Sequence, residues 1–208
     1  MLERVRIPQF SPGQRIGLYG GSFNPPHAGH YAAALEALKS ARLDWVWWFV
    51  SPQNPLKDPT HTEDFRERMA LARTIATHPR FIVSDFEMRV GSRMTAETLY
   101  ALEPVLHRGR FVWIMGADSL AGLHHWRRWR ELPRTLPLLV IDRPGWTFRA
   151  LSSRAAHYLA PWRLKESDAA LLPGIRPPAW VFLTLPLRKE SSTAIRSGTV
   201  TPKTHRKP

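Results

Sequence analysis

The chain has 208 residues, 43% hydrophobic and 23% charged, enough apolar material for one packed domain and too much for a disordered chain. Lys and Arg number 30 against 17 Asp and Glu, and the resulting +13 favours anionic partners without choosing among nucleic acid, nucleotides and an acidic membrane face. The absence of cysteine excludes disulfides, thiol nucleophiles and zinc–thiolate sites.

In chain order, "MLERVRIPQFSPGQR" has no apolar core of signal-peptide length. Arg15 to Tyr19 reads as a strand ending at Gly20-Gly21. Ala28 to Arg42 reads as a helix with Tyr31, Leu35 and Leu38 along one face. Trp45 to Ser51 is a buried strand by its aromatic and β-branched content, and at this length it cannot cross a bilayer. Thr62 to His78 is a helix capped by Thr62, with Phe65, Met69, Ala72 and Ile75 at helical spacing. "RFIVSD" is a third strand, "TAETLYALEPVL" a helix, "GRFVWIMG" a fourth strand followed by "ADSLAGL", and Leu136 to Asp142 a fifth. A helical stretch around Arg149 to Leu159, a loop at Pro173 to Pro178, the strand "AWVFLTL" and a short helix at "SSTAIRSG" complete the series. Strands of this length alternating with helices predict an α/β fold built on a doubly wound parallel sheet. No repeat and no glycine-serine linker divides it, so one domain is expected at 15–198. It would follow an N-terminal extension at 1–14, end in a short C-terminal helical element, and precede a basic, fraying tail at 199–208. A soluble cytoplasmic protein is the expectation.

The chemistry concentrates at "GLYGGSFNPPHAGHYAAALEAL", Gly17 to Leu38. In an open α/β sheet, ligands bind beyond the carboxyl ends of the strands, where a helix N-terminus offers free N–H groups. Gly20 and Gly21 would let the backbone approach a ligand without a Cβ in the way. His27 and His30, three apart, share a helix face and can point into one anion site. Simple helix capping and zinc ligation explain the same pair, although zinc finds no third and fourth ligand nearby. Neither GxGxxG nor GxxxxGK[ST] is present. "SSTAIR" reads as a second anion site, or as an ordinary N-cap: Ser191, Ser192 and Thr193 supply hydroxyls and N–H groups, and Arg196 follows one turn later.

"GGSFNPPHAGH" is similar to the signature of the nucleotidyltransferases that carry (H/T)xGH after their first strand, here His27-Ala28-Gly29-His30. Within that superfamily the chain resembles the bacterial nicotinate-nucleotide adenylyltransferases from Gly17 to Gly198. The further shared stretches are "SPQNPLK", "FRERMALA", "DFEMRVGSRMTAETL", "WIMGADSLAGLHHW", "DRPG" and "SSTAIRSG". The resemblance implies a Rossmann-like sheet and adenylyl transfer from ATP to nicotinate mononucleotide, giving deamido-NAD and pyrophosphate in NAD biosynthesis. It implies His27 and His30 as catalytic residues that bind ATP phosphates. Gly20, Gly21, Ser22, Phe23, Lys57, Gly116, Asp118, Ser191, Ser192, Thr193 and Arg196 would bind ATP and its phosphates. Thr95 and the amides beside it would hold the nicotinate carboxylate, and Trp126 would stack on the pyridine ring. Two departures stand out: Asn54-Pro55-Leu56-Lys57 lacks a histidine frequent in the family, and Met94 stands where an aromatic often precedes Thr95.

Mg²⁺ is implied, carried mainly on the ATP phosphates, because no carboxylate cluster suggests a dedicated metal cage. Nicotinamide mononucleotide and a phosphopantetheine-type acceptor are the alternatives within the superfamily. His107, His124, His125 and His157 read as surface or packing residues. The runs "HHWRRWR" and "KTHRKP" raise a different class, nucleic-acid binding with aromatic stacking, but no DNA- or RNA-binding module accompanies them. No membrane partner is expected; a homo-oligomer is compatible with the sequence, which does not set the oligomeric state.

Overall fold

The computed structural model describes residues 7–52 and 63–185. Six strands carry the fold: β1 (Arg15–Gly21), β2 (Trp45–Val50), β3 (Phe81–Ser84), β4 (Arg110–Gly116), β5 (Leu138–Ile141) and β6 (Trp180–Leu183). Every neighbouring pair is parallel, in the order β3-β2-β1-β4-β5-β6. This is the doubly wound order whose winding reverses between the first and fourth strands.

The strands are nearly continuous apolar runs because both faces of the sheet are covered. Alternate side chains divide between two cores. Trp47 and Phe49 join Ile16, Leu18 and Trp113 on one face. Val46, Trp48 and Val50 join Val112, Ile114 and Ile141 on the other. The second face is closed by α1 (Ala28–Ser40), α2 (Phe65–Ile75) and a 3₁₀ run at Glu166–Gly174, through Ala34, Ala37, Met69 and Leu172. Small alanines on α1 let that helix lie close over the central strands. The first face is closed by α3 (Phe86–Arg89), α4 (Thr95–Leu106), α5 (Ala117–Gly122), α6 (Leu132–Thr135), α7 (Thr147–Leu151) and α8 (Arg154–Leu159).

The expected strands are all present, with shifted ends. β1 runs on through Gly20 and Gly21, which pair with Phe49 and Val50 of β2, so the glycines close the strand and are not a turn beyond it. The helix expected from Thr62 begins at Phe65 and is capped by Asp64, whose Oδ1 accepts from the Arg66 N–H at 2.8 Å; Thr62 lies outside the described residues. The single stretch expected around Arg149 to Leu159 is two helices. Ser153 interrupts it, its Oγ capping α8 by accepting from the Ala156 N–H at 3.2 Å. The described residues ahead of β1 are joined to the sheet: Phe10 packs edge-on against Trp47 and Phe111, and the Arg110 N–H bonds the Gln14 carbonyl at 2.8 Å. The expected helix at "SSTAIRSG" lies outside the described residues, as do Lys57, Ser191, Ser192, Thr193 and Arg196. Among the described residues, no helix is long and apolar enough to cross a membrane.

Candidate active site

The switch point lies at the carboxyl ends of β1 and β4, and the chain delivers α1 and α5 there. His27 is the N-cap of α1. Its backbone is extended (φ −152°, ψ 171°), and its Nδ1 accepts from the Gly29 N–H at 3.1 Å. The Nδ1 of His30 accepts from the His27 N–H at 3.3 Å, completing a reciprocal capping box with imidazoles in both roles. The rings sit with centroids 3.8 Å apart. An accepting Nδ1 cannot also carry the proton of a neutral imidazole, so these bonds assign the proton to Nε2 in both rings.

His27 is buried, at 2% exposure, yet its Nε2 finds no hydrogen-bond partner among the described residues. Burial, and after it the nearby Arg143 charge, lowers its pKa to about 4. At neutral pH it is therefore an uncharged donor with an unmet N–H. A buried donor left open costs free energy, of order 1–3 kcal/mol, and a ligand oxygen would recover it. The capping reading of this pair is seen in the two Nδ1 contacts, and an anion-binding role would fall to the other nitrogen of His27.

The turn between β1 and α1 rests on Phe23, the one described residue other than glycine before the histidines with left-handed backbone (φ 43°). Its ring is buried, stacked on Trp48 at 4.9 Å and edge-on to His30 at 5.0 Å. Only the backbone of Phe23 is left to face a ligand. A Cβ on Gly20 would come within 2.9 Å of the Trp113 ring, so here the missing side chain is required by the sheet's own packing as well as by any ligand.

On the β4 side, Gly116 leads into α5. A Cβ there would collide with Asp118 Oδ1 and lie 2.7 Å from Arg143 Nε. Asp118 is half-buried and Arg143 Nε stands 3.4 Å from its Oδ1. Burial alone would lower the pKa of Arg143, but Asp118 and the hydroxyl of Tyr19 raise it overall, so the guanidinium stays charged beside His27. Burial likewise raises the pKa of Tyr19. The loop after β5, which carries Arg143, is fixed by the buried Asp142, which accepts from the Arg143 N–H at 2.8 Å and from the Thr147 hydroxyl at 2.8 Å. Arg143 was not among the sequence candidates. The signal was available: in "DRPG" it directly follows a strand of a parallel sheet, on the edge where ligands bind.

Thr95 opens α4 behind Met94, an N-cap without a capping side chain; the Glu97 N–H bonds the Met94 carbonyl at 2.9 Å, and no side chain caps the Thr95 and Ala96 amides. Trp126, half-buried, follows the 3₁₀ turn Leu123–His125 and packs against the core beneath α5. His107, His125 and His157 are exposed and His124 is half-buried with its ring against His125, as a surface role would have it. The structure therefore brings together His27, His30, Gly20, Gly21, Ser22, Gly116, Asp118 and Arg143. Thr95 and Trp126 belong to elements packed on the first face. Two further buried charges, Arg68 and Glu87, stand in the stretches "FRERMALA" and "DFEMR", where no role had been expected of them.

Comparison with known proteins agrees with this architecture. The cytidylyltransferase-like family matches residues 18–198. A protein of Methylorubrum extorquens (strain PA1), named "Probable nicotinate-nucleotide adenylyltransferase", is 54% identical over 88% of this chain and 99% of its own. One of Cereibacter sphaeroides bearing the same name is 52% identical over 88% of this chain and 96% of its own. Among solved structures, the Plasmodium falciparum nicotinic acid mononucleotide adenylyltransferase complexed with NaAD is similar in fold. Its TM-score is 0.64 at 16% identity, over 88% of this chain and 83% of that one. A six-stranded parallel sheet of this order, with a histidine pair at its switch point and relatives this close over this length, places the chain in the cytidylyltransferase-like family, among the nicotinate-nucleotide adenylyltransferases.

Proposed function

We propose that the protein transfers the adenylyl group of ATP to nicotinate mononucleotide, forming deamido-NAD and pyrophosphate in NAD biosynthesis. An oxygen of the mononucleotide 5′-phosphate attacks the α-phosphorus of ATP, and the bond from that phosphorus to the α,β-bridging oxygen breaks as pyrophosphate leaves. A phosphate oxygen needs no activation by a base, so the protein's work is positioning and charge stabilisation. The observation that carries the reading is the unmet Nε2–H of His27, buried at the switch point beside its partner His30. The uncharged His27 donor and the Arg143 cation, with His30 beside them, meet negative charge as it grows on the α-phosphate and its leaving oxygen.

In this reading Gly20, Gly21, the Ser22–Phe23 backbone, Gly116 and Asp118 line the ATP side. Lys57, Ser191, Ser192, Thr193 and Arg196 complete it from segments outside the described residues. Thr95 and its neighbouring amides take the nicotinate carboxylate, and Trp126 the pyridine ring. The working unit is residues 15–198, between the N-terminal extension and the basic tail. Among the described residues no three His, Asp or Glu converge as a metal cage, and this donor set suits Mg²⁺ that arrives on the ATP phosphates. When bound there, the ion supplies neutralising charge.

The test is pyrophosphate release from ATP with nicotinate mononucleotide or its amide counterpart, in wild type and His30→Ala. A large preference for the acid and a loss of about 10²-fold or more in the variant are expected. Unchanged activity in His30→Ala would overturn the catalytic assignment, and equal use of both mononucleotides would overturn the specificity.

A further inference from the structure

Two buried charged residues of the first and second faces meet at a single serine. Arg68 of α2, 1% exposed, makes all its hydrogen bonds to backbone carbonyls: Nη1 to Ser22 at 2.6 Å and to Ser51 at 2.7 Å, Nη2 to Pro52 at 2.6 Å, and Nε to Glu63 at 3.1 Å. One guanidinium thus fastens the turn after β1 to the segment after β2. From the same residue the Ser51 hydroxyl donates to Glu87 Oε2 at 2.6 Å. The other carboxylate oxygen, Oε1, accepts from the Thr98 hydroxyl of α4 at 3.0 Å. Thr98 Oγ1 stands 2.8 Å from Ser92 Oγ, whose own hydroxyl reaches the Met94 carbonyl at 3.0 Å.

The result is an unbroken polar chain from Ser22, on the ATP side, to the first turn of α4. Stability alone does not call for it. Glu87 is buried among hydroxyls, and that burial pushes its carboxyl up to about 6 although Ser51 and Thr98 favour the ionised form. An apolar side chain of similar volume would be the less costly filler. What the carboxylate adds is direction: its two oxygens lock Ser51 and Thr98 at one spacing, and Thr98 is one turn into the helix that opens at Thr95.

We propose that Glu87 is a positioning residue, which through Ser51 and Thr98 holds the mononucleotide-binding start of α4 in register with the ATP-side turn that Arg68 fastens. The inference rests on the reading that nicotinate mononucleotide meets α4 at its first turn. It makes Glu87 act through other groups, without contact to either substrate, and its loss is felt in the mononucleotide's binding before ATP's.

Steady-state constants for both substrates decide this, measured by pyrophosphate release on the full chain. The set is wild type, Glu87→Gln, Thr98→Val and Thr98→Ser, with thermal melts alongside. The mononucleotide KM is expected to rise about tenfold in Glu87→Gln and Thr98→Val, with the ATP KM within about twofold. Thr98→Ser, which keeps the hydroxyl, is expected to restore it. An unchanged mononucleotide KM in folded Thr98→Val, or a parallel rise in both constants, overturns the inference. Where Glu87→Gln does not fold, the Thr98 pair decides alone. A wild type that does not turn over nicotinate mononucleotide overturns the functional reading itself, a result distinct from a wild type that works and variants that match it.

Discussion

His27 has two tasks, and substitution can separate them. Its Nδ1 caps α1 while its buried Nε2–H has no hydrogen-bond partner among the described residues. Asparagine can place an oxygen where Nδ1 is and is among the best N-caps, but has nothing at the Nε2 position. His27→Asn is therefore expected to melt within a few degrees of wild type while kcat falls about 10²- to 10³-fold. His27→Ala should lose activity and about 1 kcal/mol of stability as well. Calorimetry beside pyrophosphate release checks both, and an active His27→Asn would refute the donor assignment. The same residue sets a pH dependence that Glu87 conceals. His27 has a folded pKa of about 4, below its ordinary 6.5, so its contribution to stability is full above pH 6.5 and lost as pH falls through 4. Glu87 runs the other way: raised to about 6 from 4.5, it contributes fully below pH 4.5 and loses this as pH rises through 6. Between pH 4.5 and 6 the two slopes oppose each other. Removing the carboxyl in Glu87→Gln should make stability climb more steeply with pH across that window, by about 1 kcal/mol relative to wild type. Urea melts at the two ends of the window measure it, and equal slopes in the two proteins would contradict it.

At the scale of elements, the C-terminal end of β4 is where one methyl group has the largest effect. Gly116 passes beneath the Asp118–Arg143 contact with no room for a Cβ. Gly116→Ala must push Arg143 away from His27 or shift the strand, at about 1–3 kcal/mol. The expected signature is a kcat/KM for ATP lowered at least about tenfold in a protein that still folds; wild-type kinetics in that variant would show that Arg143 is not needed there. The elements themselves were legible where burial on both faces writes a continuous apolar run, as in "WVWWFV" and "FVWIM", and the sheet could be anticipated from them. Their ends were less so. Ser153 reads from sequence as a helix interior residue and proves to be a cap, because Ser serves in either place and only the fold decides which N–H it meets. Of the site, His27 and His30 were legible because their spacing is local. The place of Arg143 after a strand was legible too, but its nearness to His27 was not, and neither was the Arg68–Ser51–Glu87–Thr98 chain, because each depends on segments distant in sequence being brought together by strand order.

For the whole molecule, the sheet order explains how a short chain makes one site for two anionic substrates. The strands on either side of the β1–β4 boundary wind outward in opposite senses, leaving a crevice there with the amino ends of α1 and α5 at its rim. Around it lies a molecule carrying 30 Lys and Arg against 17 Asp and Glu, a formal +13. Such a field acts on the approach of ATP and mononucleotide more than on the chemistry, since the contacts inside the site are short and shielded from salt while the distant surface charges are not. The Debye length falls from roughly 30 Å at 0.01 M salt to about 10 Å at 0.1 M, which removes most of the surface's reach. If steering is at work, raising salt over that range should lower kcat/KM for ATP several-fold while kcat stays within about twofold. Neutralising Arg108 and Arg110, exposed at the amino end of β4 and so on the opposite edge of the sheet from the crevice, should flatten that salt dependence without altering kcat. A kcat that falls together with kcat/KM would instead locate the salt effect inside the crevice, among His27, Asp118 and Arg143. A kcat/KM indifferent to salt would leave the excess charge without a part in substrate capture.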